Sequence, residues 1–353
     1  MPLFLDSGRS RSAIEPSAPN CVAIGLINNM PDAALEATER QFTDLIRAAT
    51  PNVIVLLKLF AIPEVPRAET ARGVLAERYR DIAELWDTPL DGLIVTGTEP
   101  RAHNLMDEPY WQALSKVVDW AKDHTASTIW SCLAAHAAVL HSDGIERRAL
   151  PEKRFGVFDC RLIADHPMTE HFPEPLWVPH SRYNDLPEPA LVSCGYKILA
   201  RSNAAGVDTF AKQDGSFHLF FQGHPEYEAD TLLREYRRDI ARFLGGEREH
   251  YPAMPIGYFN DEAAAAAEAF RTRALRDRRG EPIAAFPKAA LEAGLQCPWR
   301  AAALGTYEKW CAYLGARKAE RRTAPVPLPG VRLRRTWRDW PLGARQPADS
   351  SVR

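Results

Sequence analysis

Between Cys21 and Cys132, short runs of apolar and β-branched residues alternate with longer stretches whose apolar residues recur at helical spacing, and few folds accommodate that order. CVAIGLIN, starting at Cys21, reads as a buried strand and is followed by a turn at Asn28 to Pro31. DAALEATERQFTDLIRAAT then places Leu35, Phe42, Leu45 and Ile46 at helical spacing, and VIVLLKLFAI after Pro51-Asn52 reads as a second strand. The unit repeats: LAERYRDIAEL reads as a helix, DGLIVTGT as a strand ending in a glycine turn, EPYWQALSKVVDWAKDH as a long helix and STIWSC as a further strand. Strands alternating with helices predict an α/β fold with a doubly wound, mostly parallel sheet covered on both faces, which collects ligands at the C-terminal strand edges.

From about Pro151 the texture changes to shorter β-rich pieces (RFGVFDCRLI, YKILARS, VDTFAK, FHLFFQG) before a strong helix, ADTLLREYRRDIARFL. Further helices are expected over Glu262 to Arg276 and near Trp299 to Lys318. The expected division is a flexible leader over 1–19, one α/β domain over 20–246, a helical extension over 247–322 and a disordered Arg/Pro-rich tail over 323–353. A formal net charge of -2 without a basic domain argues against nucleic acid as a partner. No apolar run approaches the roughly 18 residues that span a bilayer, and MPLFLDSGRSRS lacks the hydrophobic region of a secretion signal, so a cytoplasmic protein without a membrane partner is expected. The six cysteines contain no C-x-x-C pair, so no metal site or redox dithiol is written locally.

One cysteine has a special place. In STIWSCLAAHAAVL, Cys132 stands where a strand gives way to an alanine-rich helix. A sharp strand-to-helix turn lifts its central side chain above the sheet and aims the positive end of the helix at it, which favours a thiolate. The N–H of the next residue, Leu133, is then placed to donate to an oxyanion. A nucleophilic cysteine needs a base, and the base an orienting acceptor. FFQGHPEYEA supplies both: an apolar strand ends at Gly223 and delivers His224, and Glu226, two positions on, can point the same way.

Taken in order, DGLIVTGT, STIWSCLAAHA and GHPEYEADTL resemble the homoserine O-acyltransferase family, usually homoserine O-succinyltransferases, whose fold is class I glutamine amidotransferase-like (flavodoxin-like). NNMPDAALEATERQF, LPEKRFGVF and PHSRYNDLP match as well, and the likeness runs over roughly Ala23 to Gly246. The resemblance implies an acyl-thioester cysteine at Cys132, a base at His224 and a supporting carboxylate at Glu226. It implies substrate-binding residues at Lys153, Ser181 and Arg238, oxyanion donors at the backbone of Leu133 and of Thr98, and a residue influencing acyl choice at Arg101. The implied reaction is acyl transfer from succinyl-CoA, a co-substrate, to the hydroxyl of L-homoserine in methionine biosynthesis, with no cofactor and no metal. A homodimer is the expected assembly.

The chain departs from the family pattern in places. Asp32 follows Met30-Pro31 where a lysine is common, and Arg101 in TGTEPRAHN stands where family members often carry a small or acidic residue. An arginine there suggests an ion pair with the free carboxylate of a succinyl group. Three other readings remain open: a glutamine amidotransferase-type hydrolase, an acyltransferase using acetyl-CoA or another hydroxy amino acid, and a non-catalytic protein that keeps the fold.

Overall fold

The computed structural model describes residues 3–6, 21–170, 172 and 174–323. The strands are β1 (Leu3–Asp6), β2 (Cys21–Ile27), β3 (Ile54–Phe60), β4 (Gly92–Val95), β5 (Ser127–Ser131), β6 (Arg148–Leu162), β7 (Leu176–Asp185), β8 (Lys197–Ser202), β9 (Gly206–Asp214) and β10 (Ser216–Phe221). The α-helices are α1 (Asp32–Ala49), α2 (Glu69–Arg78), α3 (Trp111–His124), α4 (Leu133–Asp143), α5 (Glu188–Ser193), α6 (Thr231–Leu244), α7 (Asp261–Arg276), α8 (Lys288–Glu292) and α9 (Arg300–Thr323).

All ten strands join one sheet in the order β1-β3-β2-β4-β5-β10-β9-β8-β6-β7. The half from β1 to β10 is parallel throughout, and from β10 to β7 every pairing is antiparallel. The parallel strands β2, β4 and β5 are buried along their whole length, which is why they read as continuous apolar runs. Their side chains still divide by face. Val22, Ile24, Leu26, Ile94 and Ile129 join the core beneath α1 and α9, whereas Ala23, Ile27, Leu93, Val95 and Trp130 join the core beneath α3 and α4. Winding reverses at β2, because the chain first adds β3 on one side and then β4 on the other. Such a reversal leaves a crevice at the C-terminal strand ends.

Several expectations need correction. Within the expected leader, Leu3–Asp6 pairs in parallel with β3, so this piece is an edge strand. The stretch LAERYRDIAEL is not one helix: α2 ends at Arg78, the Arg80 N–H donates to the Leu59 carbonyl at 2.8 Å, and a 3₁₀ turn follows over Ile82–Asp87. At the break Tyr79 is extended, at φ −105° and ψ 152°, and its side chain is buried in the core that also holds residues of β2 and β3. The segment LWVPHSRYND forms β7, a strand its polar residues conceal in the sequence.

The helical extension is no appendage. Its α7 and α8 pack with α6 around Tyr236 and Phe270, and α9 crosses back to lie against α1 and β2. On α9, the Trp310 Nε1–H donates to Ser127 Oγ at 2.9 Å and Lys318 Nζ bonds the Cys21 carbonyl at 2.7 Å and Asp91 at 2.9 Å. Thr323 closes this helix, and the rest of the expected tail lies outside the described residues, as do positions 1–2 and 7–20 of the leader. Among the described residues, no helix is long and apolar enough to cross a membrane.

Candidate active site

Four parallel strands deliver the site at their C-terminal ends. β5 hands its chain to Cys132, whose backbone sits at φ 52°, ψ −114°, and which is the only non-glycine residue at positive φ among the described residues. An L-residue adopts this conformation only when its surroundings impose it. Here the Cys132 N–H donates to the Phe221 carbonyl of β10 at 2.7 Å, while the Cys132 carbonyl accepts from Ala135 and His136 as α4 begins. The side chain is thereby lifted off the sheet at the N-terminus of that helix. Leu133 takes the first helical position, so its N–H has no partner within the helix and points outward. The turn after β4 comes within touching distance: a Cβ on Gly97 would lie 2.9 Å from Leu133 N, so only glycine lets the two backbones approach this closely.

β10, hydrogen-bonded beside β5, ends at Phe221 and leads to His224. The His224 N–H donates to the Pro179 carbonyl at 2.8 Å, and its Nδ1 lies 2.9 Å from Glu226 Oε1. Its ring stacks on Tyr227 with centroids 4.2 Å apart. Burial opposes a charge on this imidazole, but the Cys132 sulfur and the Glu226 carboxylate, each hydrogen-bonded to it, outweigh burial and hold His224 well above the ordinary histidine range. Cys132, His224 and Glu226 thus form one continuous chain, with Glu226 behind the base and only the first two lining the cleft. The strand end that carries His224 is pinned from beneath: Gln222 Oε1 lies 2.9 Å from His136 Nε2 and accepts from Leu186 N at 3.1 Å, and the Gly223 N–H donates to Asp208 Oδ1 at 3.1 Å.

A second cluster faces Cys132 across a cleft of ≈ 450 Å³. Lys153 of β6 reaches Glu235 at 3.5 Å and Asp239 at 3.3 Å on α6, and Arg238 donates from Nε to Asp239 at 3.0 Å. Ser181 of β7 donates a short hydrogen bond to Glu235, whose other oxygen accepts from the Tyr227 hydroxyl at 2.6 Å. Burial alone would raise the Glu235 carboxyl; Lys153, Ser181, Tyr227 and Arg238 reverse that and keep it below the usual carboxylate range.

Most of the residues expected from the sequence therefore converge. Cys132, His224, Lys153, Ser181, Arg238, Leu133 and Thr98 line the same cleft. Arg101 does not. Its N–H is held by Glu108 Oε1 at 2.5 Å, and its exposed side chain lines an adjoining hollow with Thr98, Glu99, Arg242 and Arg248. Its side chain thus lines the neighbouring hollow, which shares Thr98, Glu99 and Arg242 with the cleft, and not the cleft around Cys132 itself. Glu235 and Tyr227 were missed, although a glutamate on the inward side of α6 beside Leu232 and Tyr236 was a signal worth following. Among the described residues, no group of three or more His, Cys, Asp and Glu side chains is arranged to hold a metal ion.

Residues 10–321 match the family model described as homoserine O-succinyltransferase. The chain is 49% identical over 306 residues to the homoserine O-succinyltransferase of Rhodopseudomonas palustris, covering 87% of this chain and 92% of that relative. It belongs to the homoserine O-succinyltransferase family. The enzyme of that name from Methylorubrum extorquens is 48% identical over 84% of this chain and 88% of its own. Among solved structures, a glutamine amidotransferase from Methylobacillus flagellatus is similar at a TM-score of 0.49 and 16% identity, over 83% of this chain and 94% of that one. The chain is thus a member of an acyltransferase family, and a thiol, an imidazole and the ion-paired side chains of Lys153, Glu235 and Arg238 line one cleft in it.

Proposed function

We propose that this chain is the homoserine O-succinyltransferase of methionine biosynthesis, working by double displacement at Cys132. The observation that carries the reading is the hydrogen-bonded succession Cys132–His224–Glu226 inside a cleft whose far wall is a Lys153–Glu235–Arg238 cluster. The Cys132 thiolate attacks the thioester carbonyl of succinyl-CoA, the carbon–sulfur bond to CoA breaks, and His224 gives the departing sulfur its proton. The oxyanion formed on the way is met by the Leu133 N–H and by the turn at Thr98. L-homoserine then enters. Its carboxylate is suited to the Arg238 guanidinium, its ammonium to the ionised Glu235, and Ser181 and Lys153 hold that glutamate in place. His224, oriented by Glu226, removes the hydroxyl proton as the oxygen attacks the enzyme thioester, which releases the O-succinyl ester and restores the thiol. The reaction so written uses no metal or cofactor. The hollow beside Arg101 continues the cleft outward and can take the part of the donor beyond the thioester.

Two further parts of this reading are a cytoplasmic enzyme and a homodimer, the second checked by light scattering of the purified chain. The central test follows CoA-thiol release from succinyl-CoA with and without L-homoserine, beside intact mass after exposure to succinyl-CoA alone. A succinyl adduct on the native chain, absent in Cys132→Ala together with all turnover, is the expected result. Turnover that persists in Cys132→Ala, or ammonia release from glutamine in place of acyl transfer, overturns it.

A further inference from the structure

The donor proposed above brings a second anion into the cleft. A succinyl group carries its own carboxylate two methylenes from the thioester carbonyl, in addition to the carboxylate of the acceptor amino acid. In that reading Arg238 already serves the acceptor's carboxylate, so the second anion, on leaving water, needs another cation, best one not paired within the chain. Six lysine and arginine side chains line the cleft: Arg147, Lys153, Arg182, Arg238, Arg242 and Arg248. Five of them are committed to carboxylates of the chain. Lys153 pairs with Glu235 and Asp239, Arg182 with Asp185, Arg238 with Asp239, Arg242 with Glu99, and Arg248 approaches Asp239 at 3.7 Å. Arg147 alone of the six has no carboxylate at ion-pairing distance among the described residues. Its one hydrogen bond runs from Nη2 to the His103 carbonyl at 3.3 Å, leaving the rest of the guanidinium edge unclaimed.

We infer that Arg147 is the acyl-recognition residue, its guanidinium receiving the free carboxylate of the succinyl group while the thioester carbon lies at Cys132. Its position suits the task. Arg147 lines the same cleft as Cys132, and it is half-buried, so a carboxylate there is partly shielded from water. Burial weakens its basicity, and Tyr110, Glu108 and the Cys132 sulfur act the other way. Glu108 acts on this guanidinium from beyond ion-pairing distance, while its Oε1 accepts the N–H groups of both Arg101 and Ala102, at 2.5 and 2.6 Å. Arg147 thus takes over the role the sequence suggested for Arg101.

The inference rests on the acyl-transfer reading, and the experiment keeps the two apart. The specificity constant kcat/KM is measured with L-homoserine and each of succinyl-CoA, butyryl-CoA and acetyl-CoA, in the native protein and in Arg147→Gln and Arg147→Lys. Native protein is expected to favour succinyl-CoA over butyryl-CoA, which has the same carbon count and no charge, by on the order of 10- to 100-fold. Arg147→Gln is expected to lose most of that preference, with succinyl-CoA falling far more than acetyl-CoA, and Arg147→Lys to recover part of it. An equal fall with all three donors assigns Arg147 to the nucleophile or to folding and overturns the inference. So does native protein that uses butyryl-CoA as well as succinyl-CoA, a comparison that needs no variant to fold. Absence of transfer from every donor in native protein is the failure of the underlying reading instead.

Discussion

At the scale of single residues, the chemistry proposed above depends on how Glu226 and Cys132 together set the proton affinity of His224. Burial would strip the imidazole of its proton, and the two neighbours overcome that, so removing either lowers the pH at which His224 titrates. Proton NMR of the His224 ring is expected to show its titration moving down in Cys132→Ala and in Glu226→Gln relative to native protein; an unmoved titration contradicts the coupling. Glu226→Gln is further expected to lower kcat by on the order of 10²- to 10⁴-fold, since the base loses its orienting charge while the thiol stays in place. Cys132, His224 and Glu226 were legible in the sequence because each sits where an apolar strand abruptly ends, a signal contained within a few neighbouring letters. Glu235 and Arg147 were not. Glu235 acquires its meaning from Ser181 and Lys153, 54 and 82 positions away, and Arg147 from the absence of a partner, which no local pattern encodes.

At the scale of elements, the parallel half of the sheet was readable because both its faces are covered, which forces β2, β3, β4 and β5 to be apolar almost without interruption. The antiparallel half was less so. β7 carries His180, Arg182 and Asp185 into the interior, where the Arg182–Asp185 pair at 3.0 Å makes their burial tolerable, and such a strand does not alternate in the expected way. The role of α9 was likewise hidden, since helical spacing announces a helix without saying which surface it will cover. Trp310 is the clearest measure of that role. It is fully buried, donates to Ser127 Oγ of β5, and its ring lies 2.9 Å from where a Cβ on Gly92 would stand. Trp310→Ala is expected to cost about 3–5 kcal/mol, from lost apolar burial, the remaining cavity and a stranded hydroxyl. Urea unfolding checks it, and a change below about 1 kcal/mol would mean that α9 is only loosely laid on the sheet.

At the scale of the whole molecule, four buried imidazoles, those of His136, His166, His180 and His218, set a limit on acidity. Burial, the largest influence on each, pulls His136 down to about 3 and His166 and His218 down to about 4. Each depressed value means that the unfolded chain binds the proton first. Their contribution is therefore complete above the ordinary histidine range near 6.5 and is lost as pH falls toward 4, at about 1.4 kcal/mol per pH unit for each ring. Unfolding free energy is expected to fall steadily from pH 6.5 to pH 5, and a level curve over that interval counts against neutral burial of these rings. The attachment of α9 has a consequence for how the molecule comes into being. The strands that carry the reactive sulfur leave the ribosome early, yet the helix that seals one of their faces is synthesised some 170 residues after Cys132, counting from 132 to 300. During that interval a greasy surface has no lid, and a nascent chain must be sheltered, or made quickly, if it is not to stick to its neighbours.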